Sequence, residues 1–329
     1  MPGTHILATA DDLTGAVETG AKFAARGFRV TVTLWPDTAG ETGDAESDVM
    51  VMDTETRHLS AEDAAARIGS LAARALSPQI ELFYHKTDST LRGNIGPELR
   101  AVAGVFAGRG VEYAPAYPSL GRTVARGRLL IHSVPAHETE FARDPLDPIR
   151  TNDVRSIVGE HPAIRVHDGE TEQDVAAVAR LILAASPRPA ACGPACLAGH
   201  LAAQLRAAHW ENAGWPKTDN CLVISGSAHP RSIQQIGNAP SHWPVLTSAV
   251  GAAETVRRLR PEVLILFGGD TSYSVLRELG IAALTPIGEI LPGVPFSRIG
   301  NGQPPQYAIT KAGGFGSIDL LDQLRRLLT

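Results

Sequence analysis

His5-Ile6-Leu7-Ala8-Thr9-Ala10-Asp11-Asp12 is the stretch whose reading decides the fold. Its apolar run, His5–Ala10, has the length of a strand and stops at two adjacent carboxylates. Thr14–Arg26 follows with helical periodicity and is stopped by Gly27. Phe28–Leu34 then alternates like a second strand. A strand, a helix and a strand in so short a span are the repeating unit of a parallel sheet.

The pattern continues outward. Asp48–Asp53 and Glu81–His85 read as buried strands, and Val111–Ala116 as another. Ser60–Leu76 and Gly96–Gly108 read as the helices between them, the first with Ser60 as N-cap and acids in its first turn. Glu138–Arg150 reads as a surface loop, Thr151–Glu160 and Thr171–Ala185 as helices, and Ala163–His167 as a strand. Pro187–Gly193 reads as a Pro/Ala/Gly stretch, and Leu197–His209 as a helix. Trp210–Asn220 is the best linker. Beyond it Cys221–Ser225 and Val263–Phe267 read as strands, and Pro230–Gly237 and Ser272–Gly280 as helices. From Ile281 the chain reads as a Gly/Pro-rich tail with a last helix at Ser317–Leu328. The expected architecture is α/β in two domains, residues 1–212 and 218–329. Each is a mainly parallel sheet flanked by helices, with the active site in the cleft between them.

Composition narrows the function. The 329 residues are 43% hydrophobic and 20% charged, an ordinary globular balance. Thirty Lys plus Arg against 35 Asp plus Glu give a net charge of −5, which argues against nucleic-acid or anionic-membrane partners. Only four of the basic residues are lysines: Lys22, Lys86, Lys217 and Lys311. No leader is evident and no window is apolar enough to span a membrane, so the expected compartment is the cytoplasm. Cys192, Cys196 and Cys221 are too few for a disulfide scaffold. With no histidine or cysteine read at metal spacing, they are expected to be buried or free thiols.

In parallel α/β sheets ligands bind past the carboxyl ends of strands. Asp11 and Asp12 stand at such an end and could supply a general base or hold a metal. Lys86-Thr87-Asp88-Ser89-Thr90-Leu91-Arg92-Gly93-Asn94 follows the Glu81–His85 strand. Its two cations, acid, hydroxyls and amide suit a polyhydroxylated anion. Gly121-Arg122-Thr123, inside the Pro115–Thr123 loop, could bind an anion, and Arg57 is a further strand-end cation. Three glycine turns mark the second half: Ser225-Gly226-Ser227, Gly268-Gly269-Asp270-Thr271-Ser272, and Gly313-Gly314-Phe315-Gly316. Glycines beside helix N-termini let backbone N–H groups reach phosphate oxygens. No Walker A sequence, no Rossmann fingerprint, no H-E-x-x-H and no G-x-S-x-G is present.

Taken together, the motifs are similar to those of the four-carbon acid sugar kinase family. The resemblance rests on ADDLTGA (10–16), KTDSTLRGN (86–94), PAYPSLGRT (115–123), DPLDPIRTNDVRSIVGE (144–160), GPACLAGHLA (193–202), SGSAHPRSIQQI (225–236), GGDTSYSVLRELGI (268–281), EILPGVPF (289–296) and KAGGFGSIDLL (311–321), in the family's order. It implies an N-terminal acid-sugar domain and a C-terminal nucleotide domain. It implies transfer of the ATP γ-phosphoryl group, with Mg²⁺, to a hydroxyl of threonate, erythronate or a 3-oxo-tetronate. Asp11, Asp12, Arg57, Lys86, Asp88, Ser89, Arg92, Asn94 and Arg122 would face the sugar acid. Ser227, His229, Gly268, Gly269, Asp270, Thr271, Gly313, Gly314 and Gly316 would face ATP.

The resemblance also implies a division of labour. Arg92, Arg57 or Lys86 would clamp the substrate carboxylate. Asp12 or Asp11, ahead of Asp88, would accept the hydroxyl proton, the order within the pair staying open. Ala228-His229 stands where the family has Ser or Cys-Ser. Ala312 and Gly314 replace a Ser and an Asn of the usual K-S-G-N-F-G. The chain is also shorter than the family, between Gly237 and Glu262. Two other classes stay open: a sugar-acid-binding protein without ATP chemistry, and an isomerase or aldolase on the same frame. Oligomeric state is open too, a homodimer being one option.

Overall fold

The computed structural model describes residues 5–34, 47–144, 146–206, 214–227, 229–300 and 304–329. Its first strands are β1 (Ile6–Ala10), β2 (Val30–Thr33), β3 (Val49–Asp53), β4 (Leu82–Lys86) and β5 (Val111–Tyr113). A small antiparallel sheet follows, of β6 (Arg122–Ala125), β7 (Arg128–Ile131) and β8 (Val134–Pro135). Then come β9 (Ile164–Val166) and β10 (Ala190–Gly193). In the main sheet the order is β2-β3-β1-β4-β10-β5-β9, all parallel. Helix α1 (Leu13–Ala24) packs on this sheet and α2 (Ala61–Arg74), α3 (Ile95–Val105) and the short α4 (Val154–Val158) follow. Helices α5 (Glu172–Ala184) and α6 (Ala195–Leu205) complete this half.

The second half holds β11 (Cys221–Ser225), α7 (Pro230–Gly237), β12 (Val245–Leu246), α8 (Ala252–Leu259), β13 (Val263–Phe267) and α9 (Gly269–Glu278). It ends in β14 (Ala283–Leu291), β15 (Val294–Ile299), β16 (Tyr307–Lys311) and α10 (Leu320–Leu328). Strands β12-β11-β13-β16 run parallel; β15 and β14 continue the sheet antiparallel. Strand β14 then pairs with β2, Ala283 opposite Thr33 and Leu284 opposite Val32. The two parallel sheets are thereby one 13-stranded sheet.

The buried strands have the uninterrupted apolar character that a sheet covered on both faces requires. All five residues of β1, β3, β11 and β13 are buried. In β11 and β13 alternate residues feed two cores, because successive side chains point to opposite faces. Leu222, Ile224, Leu264 and Leu266 join a core that runs on through the first half. Cys221, Val223, Val263, Ile265 and Phe267 pack with Phe296 and α10. One core thus crosses the junction of the halves.

Several elements differ from the reading of the sequence. Strand β10 lies in the Pro/Ala/Gly stretch, and β14–β16 lie in what reads as a tail. Pro286 and Gly288 break the strand pattern of β14, and the structure absorbs them as register shifts beside β15. Helix α9 begins at Gly269, three residues before the expected Ser272. The helix expected over Thr151–Glu160 is only α4. The linker residues Trp210–Ala213 and the Ala228 departure lie outside the described residues. No helix among the described residues is long and apolar enough to cross a membrane.

Candidate active site

Each parallel sheet has a place where the strand order reverses. In the first half the chain leaves β1 toward β2 and β3 on one side, then β4 on the other. In the second it leaves β11 toward β12, then β13 on the other side. Crevices open at such switch points. The two face each other here and form one cleft of about 570 Å³.

On the first side Asp12 caps α1, accepting from the Gly15 N–H at 2.9 Å and the Thr14 hydroxyl at 2.6 Å. Arg57, brought in by the loop after β3, donates from Nε to Asp11 Oδ2 and from NH1 to Asp12 Oδ2, both at 2.8 Å. Its NH2 lies 3.6 Å from Asp88 Oδ1. Lys86 ends β4, with Nζ 3.7 Å from Asp11 Oδ1. A Cβ on Gly15 would sit 2.4 Å from that Nζ and 2.7 Å from Asp12 Oδ1, so any larger residue would push the lysine head aside.

The electrostatics follow from burial and pairing. Burial opposes ionisation of Asp12, but Arg57 and Lys86 outweigh it and bring its pKa down to about 2. Asp88 is held well below the usual carboxylate range, Arg92 and Arg57 overcoming its burial. Asp11 goes the other way, because burial outweighs its cations. Asp88 is engaged mainly within its own loop. It accepts from Thr90, from the Arg92 backbone N–H at 3.2 Å and from the Arg92 guanidinium at 2.8 Å. Arg92 spends its remaining nitrogen on Asp144 at 3.0 Å and lies over Phe141.

The sequence-derived candidates therefore separate. Asp11, Asp12, Arg57, Lys86, Asp88, Ser89, Arg92 and Arg122 line the cleft together. Asn94 does not; its amide holds the carbonyls of Thr56 and Leu59 and so fixes the Arg57 loop. Arg57 and Arg92 are already paired with carboxylates of the protein. Arg122 has no carboxylate partner among the described residues: its NH1 donates to the Leu120 carbonyl at 3.3 Å, its buried Nε has no hydrogen-bond partner there, and its guanidinium lies 5.2 Å from the Phe315 ring centroid across the cleft.

On the other side the glycine turns meet. The Gly226 N–H donates to Thr271 Oγ1 at 3.0 Å, tying the turn after β11 to α9. His229 caps α7, and a Cβ on Gly314 would come within 3.1 Å of its Nε2. Ser227, His229, Gly268, Gly269, Asp270, Thr271, Gly313 and Gly314 line the cleft, whereas Gly316 packs against Gln235 and Leu320 outside it. Lys311 is buried and does not face the cleft. Its Nζ holds the carbonyls of Gly313 at 2.8 Å and Phe315 at 3.2 Å, with Gln235 Oε1 at 2.6 Å. Burial pushes it down to about 7.

Asp12 is where the sides touch: a Cβ on Gly269 would lie 3.3 Å from Asp12 Oδ2. The N-termini of α1 and α9 thus converge on one point, which favours anionic groups there. Glu55, which sequence reasoning passed over, stands beside it and accepts from the Leu13 N–H at 3.3 Å. Its backbone has φ +46°, a left-handed conformation rare outside glycine. The only sequence signal was its place three residues after the β3 apolar run.

Burial, then the charge of Asp12, raise Glu55 to about 7. A carboxyl raised in the folded state stabilises the fold below its unfolded pKa, and that contribution is lost as pH rises through the folded value. Glu55→Gln keeps an acceptor for Leu13 and removes the charge. Without divalent cations, the variant is expected to be more stable than the parent by about 2 kcal/mol at pH 8, with the gap closing below pH 5. Urea melts across that range check it; a gap independent of pH would contradict it.

Comparison with known proteins fits this geometry. A family model for a sugar-binding N-terminal domain matches residues 6–166, and one for a nucleotide-binding C-terminal domain matches residues 247–321. D-threonate kinase of Bordetella bronchiseptica is 27% identical over 98% of this chain and 96% of its own length. The chain belongs to the four-carbon acid sugar kinase family. A D-threonate kinase of Salmonella typhimurium is 38% identical over 50% of this chain and 38% of its own length. A 3-oxo-tetronate kinase of Burkholderia multivorans is 25% identical over 97% of this chain and 96% of its own length. The alignment to the Bordetella relative spans 398 positions against 329 residues here, so this member of the family is the shorter one.

Solved structures share the fold. A DUF1537 protein of Haemophilus influenzae superposes with a TM-score of 0.73 at 18% identity, over 98% of this chain and 100% of its own. A DUF1537 protein of Bordetella bronchiseptica, a domain-swapped dimer with bound citrate, does so at 0.56 and 24% identity, over 99% and 98%.

Proposed function

We propose that the protein is an ATP-dependent kinase that phosphorylates a hydroxyl of a four-carbon sugar acid. Residues 1–212 would hold the acid and residues 218–329 the nucleotide. The observation that carries this reading is the approach of the Gly268-Gly269 turn to Asp12. It brings an anion-binding helix N-terminus to the end of a pocket lined with cations. Phosphoryl transfer asks mainly for such alignment and charge neutralisation.

The substrate carboxylate goes to Arg122 and Lys86, cleft cations whose nitrogens donate no hydrogen bond to a carboxylate among the described residues. Arg57 and Arg92 act one step back, holding Asp11, Asp12 and Asp88 in place. Asp12 orients the attacking hydroxyl and takes its proton; Asp11 is more deeply buried, and Asp88 already accepts five hydrogen bonds from Thr90 and Arg92. The N–H groups of Gly268, Gly269, Gly313 and Gly314, with Ser227 and His229, receive the phosphates. The exposed carboxylate of Asp270 and that of Glu55 supply the hard oxygen donors a Mg²⁺ ion takes. Glu55, Asp12 and Asp270 line one cleft, so the group fits a cation. Bound there, Mg²⁺ would neutralise phosphate charge. A homodimer is the proposed assembly.

ADP release measured against D-threonate, L-threonate, D-erythronate and a 3-oxo-tetronate tests the proposal. Turnover with at least one acid, dependent on both ATP and acid, is expected. Stabilisation by the acids without any turnover would point instead to a binding protein. Gly15→Ala gives a further check, because its methyl displaces the Lys86 ammonium and crowds Asp12 Oδ1. KM for the acid is expected to rise about tenfold, equivalent to about 1.4 kcal/mol, with KM for ATP unchanged.

A further inference from the structure

Behind the cleft, where α5 meets α6, lies a cluster that the catalytic reading does not use. Cys196 and His200 are one helical turn apart on α6 and so share a face. Glu172 is the first residue of α5. The Cys196 thiol donates to Glu172 Oε2 at 3.4 Å, and His200 Nε2 lies 2.8 Å from the same oxygen. The sulfur, nitrogen and oxygen all lie within 4.8 Å of one another. This corrects the expectation that no histidine accompanies the cysteines: His200 is four residues beyond Cys196. Nor is Glu172 needed to close α5, whose N-terminus has its own capping box of Thr171 and Asp174.

We propose that Cys196, His200 and Glu172 form a binding site for Zn²⁺ or a related divalent transition-metal ion. The donor set, one thiolate, one imidazole and one carboxylate, suits Zn²⁺ and disfavours Mg²⁺ and Ca²⁺. Tetrahedral zinc with bonds of 2.0–2.3 Å sets its ligand atoms roughly 3.3–3.6 Å apart. The sulfur–oxygen distance of 3.4 Å already meets this. The nitrogen–oxygen pair must open by about half an ångström, within reach of two side chains that are not fully packed. Glu172 and His200 are 38% and 24% exposed, and Cys196 is buried beneath them. That gives the ion an entry path and leaves a fourth position for water. On binding, the sulfur–metal bond replaces the S–H bond, and the proton leaves to solvent.

The site has a mechanical connection to the cleft. The second Glu172 oxygen, Oε1, accepts from the Ser119 N–H at 2.8 Å. Ser119 belongs to the turn between Tyr117 and Arg122. An ion that fixes Glu172 therefore also fixes the turn that leads to Arg122.

Cobalt titration of the full, metal-free chain tests the site, with excess Mg²⁺ present to occupy hard oxygen sites. The expected result is one equivalent of Co²⁺ with an intense near-ultraviolet thiolate charge-transfer band and tetrahedral visible bands, both bleached by Zn²⁺. Cys196→Ser should lose the near-ultraviolet band, and Cys221→Ser should keep it. His200→Gln should weaken Co²⁺ binding at least about tenfold, as loss of a ligand or its support does elsewhere. Thermal unfolding of each variant reports folding; should Cys196→Ser not fold, His200→Gln at the partly exposed histidine decides. No thiolate band at saturating Co²⁺, an undiminished band in Cys196→Ser, or unchanged affinity in His200→Gln would overturn the proposal.

Discussion

Asp12→Asn is expected to lower kcat by about a thousandfold, the middle of the range for losing a general base. The substitution is nearly isosteric. Its Oδ1 still accepts from the Gly15 N–H, so α1 keeps its cap. What disappears is the charge that Arg57 holds and that faces Gly269. KM for the acid should change little, because Arg122 and Lys86 are untouched. The low pKa of Asp12, about 2, does not weaken the case. In a loose transition state the proton leaves late, and the carboxylate acts first by orienting the hydroxyl. Because its folded pKa lies below the ordinary value of 3.8, Asp12 stabilises the fold above that pH and loses the contribution as pH falls toward 2. Its neutral replacement should therefore cost no more than about 2 kcal/mol at pH 7, which urea melts would separate from the kinetic loss. Turnover within tenfold of the parent would remove Asp12 from the mechanism, and a larger loss in Asp11→Asn would transfer the role to its neighbour.

The sequence shows the first half of this site well and the second half less well, for a physical reason. Asp11, Asp12, Lys86 and Arg57 follow strands whose apolar runs are unmistakable, and a parallel sheet fixes where strand ends lie. The glycine turns after β11 and β13 are legible for the same reason. Other features depend on contacts that no local pattern records. Lys311 sits in a glycine motif expected to face the nucleotide, yet it is turned inward to hold that motif's carbonyls. Arg92 and Arg57 read as carboxylate clamps, but besides the nearby Asp88 their partners are Asp144, 52 residues from Arg92, and Asp11 and Asp12, about 45 from Arg57. Strand β10 is Ala-Ala-Cys-Gly, too small and too short to announce itself, and becomes a strand because β4 and β5 flank it. Strand β14 hides behind Pro286 and Gly288, and with it the junction that makes two sheets one. Glu172 meets Cys196 and His200 only through the packing of α5 on α6.

Arg57→Met should be the most destabilising single change in the cleft. The Arg57 side chain is only 10% exposed, and its three nitrogens meet Asp11, Asp12 and Asp88. Without it those carboxylates keep their burial and lose their shared cation. Removing one partner of a buried ion pair costs roughly 3–5 kcal/mol. The direction with pH is distinctive. Asp12 is depressed chiefly by Arg57, and Asp88 by Arg92 and then Arg57, so in the variant their folded pKa values rise. The folded protein then takes up protons that the parent does not, and the variant recovers stability as pH falls. The deficit should be largest near pH 8 and shrink by pH 5. Arg57→Lys should regain part of it, since an ammonium restores the charge but cannot place three nitrogens against three carboxylates. Urea melts of the three proteins at pH 5, 6.5 and 8 measure all of this. A deficit below about 1 kcal/mol, the value of an exposed pair, would mean that the cluster is solvated rather than buried. A deficit of full size but equal at every pH would mean that Arg57 acts through packing of its side chain. Either outcome would remove the argument that Arg57 holds the aspartates ready, and with it the reason to assign the substrate carboxylate to Arg122 and Lys86.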